Sequence, residues 1–216
     1  NFMQELKAYL EQKGVIILSN EEVVDVDFKN GTIHSLRTNN QKIKGDKFVL
    51  ATGSWSQYFA KKIGVNIPIQ AGKGYSINVK RETNITIPAI LIEAKVAVTP
   101  MHGFTRFAGT IEIGGINHTM NVKRINTIAK ASESYYKDLK ISLKEQQNAK
   151  CGLRPCSPDG LPYIGKSNKV DNLIIATGHA MMGWSLGPAS GKLVSEIISE
   201  SKTSLSLNPF SVDRFS

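Results

Sequence analysis

The stretch from Cys151 to Gly191 constrains the fold of this chain more than any other. Arg154 stands at a corner stiffened by Pro155, Pro158 and Pro162, and a short apolar run, Leu173–Thr177, follows as a buried strand. The small-residue turn Gly178-His-Ala-Met-Met-Gly183 then leads into a helix. Leu186, Ala189, Leu193, Val194, Ile197 and Ile198 recur at helical spacing. Pro188 is expected in the first turn of that helix, where a missing N–H leaves no bond unmade. A strand, a glycine-flanked turn and a helix start present free backbone N–H groups to an electron-rich or anionic ligand. Arg154 adds a planar fork matched to a carboxylate.

The ordered set Gly152-Leu-Arg-Pro, Asp159-Gly-Leu-Pro, Ile164-Gly165 and Gly178-His-Ala-Met-Met-Gly183 resembles the C-terminal signature of the D-amino-acid oxidase-like flavoprotein superfamily. The Gly183-Trp184 pair is most similar to the small subunit of bacterial D-amino-acid dehydrogenases. Glycine and sarcosine oxidases are similar but more distant. The resemblance implies an α/β chain, α+β overall: part of an FAD-binding Rossmann-like domain with an inserted antiparallel sheet that carries the substrate side. The expected division is 1–67 and 151–202 for the FAD-binding parts, 68–150 for the substrate domain, and 203–216 for a loose, serine-rich tail.

Local signals agree with that order. Phe2, Met3, Leu6, Tyr9 and Leu10 form one apolar helical face, which Gly14 is placed to end. Val15–Leu18 reads as a short buried strand. Val23–Phe28 and Thr32–Thr38 flank the hairpin turn Asn30-Gly31, and Asn39-Asn40 turns the chain into Gln41–Lys44. Asp46–Leu50 leads into Ala51-Thr52-Gly53. Strands are expected at Tyr75–Val79, Ala89–Leu91, Lys95–Thr99, Thr105–Phe107 and Thr110–Ile113, with a loop at Pro100–Gly103. A helix is expected over 126–148, with Ile128, Ala131, Tyr135, Leu139 and Leu143 on one face.

By resemblance, Arg154 holds the carboxylate of an amino-acid substrate; the plainer reading is a structural salt bridge at a Pro-rich turn. Gly178, His179, Ala180, Met181, Met182, Gly183 and Trp184 are expected to wrap the flavin ring. Val23 is expected at the adenine, and Ala51, Thr52, Gly53 and Trp55 also border the cofactor. His179 is better read as a residue holding the turn than as a general base. Met181 departs from glycine oxidases, which resemble this chain but place a second carboxylate-binding arginine there. Ala97 stands where some oxidases have a tyrosine facing the substrate. Tyr75 and Trp55 are either pocket walls or core. Glu112, a strand-end carboxylate, faces solvent or a local donor or else pairs with a substrate ammonium; Asp159 is a turn residue, and His102 and His118 receive no role.

The implied activity is FAD-dependent oxidative deamination of a D-amino acid to a 2-oxo acid and ammonia, with a quinone or oxygen as electron acceptor. Alternatives are a glycine-, sarcosine- or proline-type amine oxidase, a 2-hydroxyacid dehydrogenase, or a flavin-free binding remnant. The pyrophosphate fingerprint Gly-x-Gly-x-x-Gly is absent, so the chain is expected to be the C-terminal portion of a longer protein and inactive alone. Gly72-Lys73-Gly74 lacks the third glycine and leads into a strand. Gly187–Lys192 mimics a Walker loop but is one residue short.

Composition narrows the partners. The net charge is +9, but its 27 Lys and Arg are scattered, so no nucleic-acid partner is expected. A solvated basic surface is the plain reading, and a peripheral membrane association would suit a quinone-linked enzyme. Two cysteines without framework spacing suggest a reducing compartment, and no metal site is expected. No apolar run is long enough to span a bilayer, and no signal peptide is expected. The expected location is cytoplasmic, at the inner face of the cytoplasmic membrane in the quinone-linked case.

Overall fold

The computed structural model describes residues 2–215. The chain runs α1 (Phe2–Gln12), β1 (Val23–Lys29), β2 (Thr32–Thr38), β3 (Lys42–Ile43), β4 (Phe48–Leu50) and α2 (Ser56–Lys62). It continues through β5 (Gln70–Val79), β6 (Ala89–Leu91), β7 (Val96–Met101), β8 (Phe104–Ile113), α3 (Val122–Tyr135) and α4 (Leu143–Gln147). It ends with β9 (Lys150–Cys156), β10 (Tyr163–Ser167), β11 (Val170–Thr177) and α5 (Gly183–Ile198).

Three sheets result among the described residues, ordered β1-β2-β3, β10-β11-β4 and β6-β7-β8-β5-β9. The first is the expected hairpin meander, with both Asn30 and Gly31 at positive φ, as a two-residue type I′ turn requires. In the second, β11 pairs with β4 in parallel and β10 in antiparallel fashion. One face of it shares a core with α2 through Ile33, Leu50, Ala60, Ile63, Leu173 and Ile175. The other packs Ile164 and Ile174 on Leu193 and Ile197 of α5. The third sheet is antiparallel and covered on one face only, where Tyr75, Ile77, Val96, Val98 and Phe107 meet Ile125, Ile128 and Ala129 of α3.

Several local expectations are corrected. Val15–Leu18 is not a strand: no neighbouring strand among the described residues supplies its ladder, and Ile16 is 83% exposed. The strands expected at 105–107 and 110–113 are one, β8, which absorbs an extra residue as a bulge at Thr110 (φ 61). Pro100 and Met101 belong to β7, so the expected loop shrinks to a His102-Gly103 turn. The helix expected over 126–148 is two. Leu139 and Ile141 are buried between them, and Ser142 and Glu145 form a reciprocal capping box that opens α4. Pro188 is the sixth residue of α5 rather than in its first turn, because Met182 already accepts the first helical bond from Leu186 N–H.

The tail is not loose. Val212 is buried in the core beside Tyr163 and Val170. Arg214 forks onto Asp159 at 2.9 and 3.0 Å and lies 3.9 Å from the Tyr163 ring centroid. Asp159 also takes the Leu161 N–H, as a turn aspartate does. The Arg214 hydrogen bonds hold its carboxyl down at about 2. Because the unfolded carboxyl titrates near about 3.9, this contribution is complete above that pH and is lost as pH falls through about 2. Arg214→Ala is expected to cost about 2–3 kcal/mol in urea unfolding at pH 7, from the lost charge-assisted bonds and ring contact. Asp159→Asn is expected to flatten the acid limb between about pH 4 and 2.

Candidate active site

The parallel pairing of β4 and β11 sets the carboxyl ends of two strands side by side, with Leu50 opposite Ile175. In open α/β sheets, ligands bind at such ends. Hydroxyls tie the two exits together. Ser56 Oγ donates to Thr177 Oγ1 at 3.0 Å, Thr177 Oγ1 donates to the Gly53 carbonyl at 3.2 Å, and Thr52 and Ser56 share a bond at 3.0 Å. Ala51-Thr52-Gly53 is thereby fixed beside Thr177-Gly178. Gly178 is buried at φ +82, and a Cβ there would meet the Tyr163 ring at 3.1 Å, so conformation and space both demand glycine.

The following turn closes through Met182 N–H on the His179 carbonyl at 2.9 Å, with Ala180 held left-handed at φ 46. His179 Nε2 and Ser190 Oγ are 2.8 Å apart, pinning the turn to α5. Met182 precedes α5 without a side-chain cap, so the N–H groups of Gly183, Trp184 and Ser185 lack helical partners. Met181, Met182 and Trp184 are exposed beside them.

β9 brings Arg154 to this place. Past Arg154, the Pro155 carbonyl accepts Ala180 N–H at 2.9 Å, and Cys156 bridges to His179. Along its other edge β9 pairs with β5, placing Gly72 opposite Arg154 and Gly74 opposite Gly152. The guanidinium lies over Gly74, where any Cβ would overlap it. Its Nη1 is buried with no hydrogen-bond partner, and Arg154 makes no ion pair among the described residues. The structural salt bridge that sequence allowed is therefore not what Arg154 forms. Arg154, Gly74, Ser76, Arg106 and Ala108 line an open cleft of about 320 Å³ on the uncovered face of the large sheet.

The structure thus brings Arg154, residues 51–53 and residues 178–184 together. Ala97 is on the same sheet face, opposite Ala108. Tyr75 points its side chain into the covered face, 1% exposed, with its hydroxyl donating to Glu112 at 2.9 Å. Trp55 is half-exposed and stacks on His118 with centroids 6.4 Å apart. Val23 stands on the hairpin sheet at the start of β1. Glu112 does pair with local donors: Lys73 at 3.1 Å, Arg124 at 3.1 Å and Tyr75. Lys73 and then Tyr75 hold its carboxyl below the ordinary range. Sequence reasoning missed Gly74 and Arg106. Glycines at i and i+2 of a strand bare one face at two successive positions, and that signal was present at Gly72-x-Gly74.

Burial pushes the His179 pKa down, so the folded state favours the neutral ring that bonds Ser190. Its contribution is complete above the unfolded value of about 6.5 and is lost as pH falls below it. His179→Ala is expected to lower stability by about 1–3 kcal/mol at pH 7.5, by leaving Ser190 unpaired, and to reduce the loss that sets in below about pH 6.5. Urea unfolding at several pH values reads both.

Residues 1–197 match the family described as FAD dependent oxidoreductase. The D-amino acid dehydrogenase of Agrobacterium fabrum is 32% identical over 219 residues, covering 99% of this chain and 51% of that protein. The Helicobacter pylori D-amino acid dehydrogenase is 30% identical over 197 residues, covering 90% and 47%. The chain therefore spans about half the length of these curated relatives. L-proline dehydrogenase from P. horikoshii superposes with a TM-score of 0.81 at 23% identity, covering 96% of this chain and 57% of that one. Glycine oxidase from Geobacillus kaustophilus gives 0.76 at 22%, covering 91% and 52%. Those two likenesses speak to the fold, and the match over residues 1–197 places the chain in the DAO family of FAD-dependent oxidoreductases.

Proposed function

We propose that the whole protein oxidises the α-carbon of a D-amino acid to an imino acid, which water hydrolyses to a 2-oxo acid and ammonia. The observation that carries this reading is Arg154: a guanidinium seated on bare backbone at Gly74, its buried Nη1 unpaired, on a strand whose next residue, Pro155, is hydrogen-bonded to the turn before α5. A substrate carboxylate would complete that fork, and two parallel N–H···O bonds would fix the orientation of the α-carbon. The names of the curated relatives favour a D-amino acid as the substrate.

The residues present fit a flavin. Small residues at Ala51, Thr52, Gly53, Gly178 and Ala180 let backbone approach a flat ring, Met181, Met182 and Trp184 offer apolar cover, and the uncapped start of α5 offers N–H groups. A bound flavin would supply a hydride acceptor and a route for the electrons to a quinone or oxygen. The free N–H groups at the start of α5 would favour negative charge on a flavin held beside them. Val23 is the candidate for the adenine end. His179 is committed to Ser190 and acts by holding the turn, not by taking a proton. The α-amine needs only to be neutral for its C–H bond to be cleaved.

The test is anaerobic bleaching of flavin absorbance in the whole protein, with D- and L-amino acids, glycine and sarcosine. Selective bleaching by D-amino acids is expected; bleaching by none of them, with FAD bound, would sink the reading. Arg154→Ala is expected to raise KM by about 100-fold, the scale of a charge-assisted hydrogen-bonded pair. Gly74→Val is expected to raise KM in the same direction, by displacing the guanidinium rather than removing it.

A further inference from the structure

The open face of the large sheet carries a second arginine. Arg106 on β8 lies opposite Asn78 on β5, two rungs along from Gly74 with Ser76 between. Asn78 Oδ1 accepts Arg106 Nε–H at 2.9 Å, and the Phe104 ring centroid is 5.5 Å from the guanidinium. These contacts fix the stem and one edge of the fork and leave its Nη groups to the cleft. β9 and β8 flank β5 on either side, so Arg154 and Arg106 approach the same floor from opposite sides. That floor is small: Gly74, Ser76 and Ala108 lie between the two, and Ala97 extends the row.

Neither arginine forms an ion pair among the described residues. One α-carboxylate needs one fork. A second cation lining the same cleft without a carboxylate partner raises the local potential, disfavours cationic side chains and favours a second anion. We propose that Arg106 is a specificity residue that binds an anionic group on the substrate side chain, so that the site selects acidic amino acids. This rests on the reading of Arg154 as the α-carboxylate anchor. Arg106 is placed to act on the side chain, at the far end of the cleft from the turn that precedes α5.

D-Glutamate and D-glutamine are nearly isosteric and differ in that charge, so their kcat/KM ratio in the whole protein reads the proposal directly. The wild type is expected to favour D-glutamate, and Arg106→Gln to lower the ratio by about 100-fold, the scale of one charge-assisted contact. Arg106→Lys is expected to keep part of the preference, which a purely structural role would not produce. An equal loss on both substrates in Arg106→Gln, or no wild-type preference for D-glutamate, would overturn the proposal. If the wild type turns over neutral D-amino acids but shows no preference, only this inference fails. If no amino acid reduces the flavin, the functional reading fails and takes this inference with it.

Discussion

The cleft depends on one strand being held along two different neighbours. β9 is hydrogen-bonded to β5 from Lys150 to Cys156, and its far end is also held by the turn before α5, through Pro155 and Cys156. Without the first pairing, the Arg154 side chain would have no Gly74 floor. Without the second, the end of β9 would not be held beside the turn that follows β11. Because backbone groups make both attachments, the position of Arg154 is set by the fold rather than by side-chain contacts. A preorganised cation of this kind binds an anion with little reorganisation.

β5 shows how a single strand serves two faces. Gly72, Gly74 and Ser76 clear the open side, while Lys73, Tyr75 and Ile77 are buried against α3 and the chain before it. Burying Lys73 at 2% exposure is tolerable only because every direction is occupied: Glu112 at 3.1 Å, Asn117 Oδ1 at 2.7 Å and the Thr119 carbonyl at 2.8 Å. A desolvated charge so fully paired fixes the register of β5 against β8 near the Thr110 bulge. The small residues on the other side inherit that register.

Much of this was legible in the sequence. The hairpin at Asn30-Gly31, the strand before Gly178, the helix after it and the antiparallel character of residues 70–113 followed from turn chemistry and periodicity, and the motif around Arg154 pointed to the family. The misses have physical causes. Val15–Leu18 has a strand's composition, but composition does not supply a partner. The break between α3 and α4 was signalled by Ser142-x-x-Glu145, a capping box hidden in a run with helical spacing throughout. The tail looked loose because it is rich in serine, yet Val212 and Arg214 find Tyr163 and Asp159, partners some 50 residues away. Gly74 and Arg106 were invisible for a related reason: their importance lies in what is across the sheet from them, and single-strand patterns do not report cross-strand neighbours.

The same pairing that positions Arg154 has a consequence for how the chain folds. β4 and β11 are adjacent although more than a hundred residues separate them, and bringing such distant segments together is a slow, entropically costly event. The intervening chain contains its own five-stranded sheet, whose entry and exit strands are the mutual neighbours β5 and β9, with Gln70 opposite Cys156. Once that sheet forms, its two ends are already side by side, and the long loop between β4 and β11 is reduced to the short connections at either end. The large sheet thus acts as a clasp: with it closed, the chain-closure cost of the smaller parallel pair is that of two short connections.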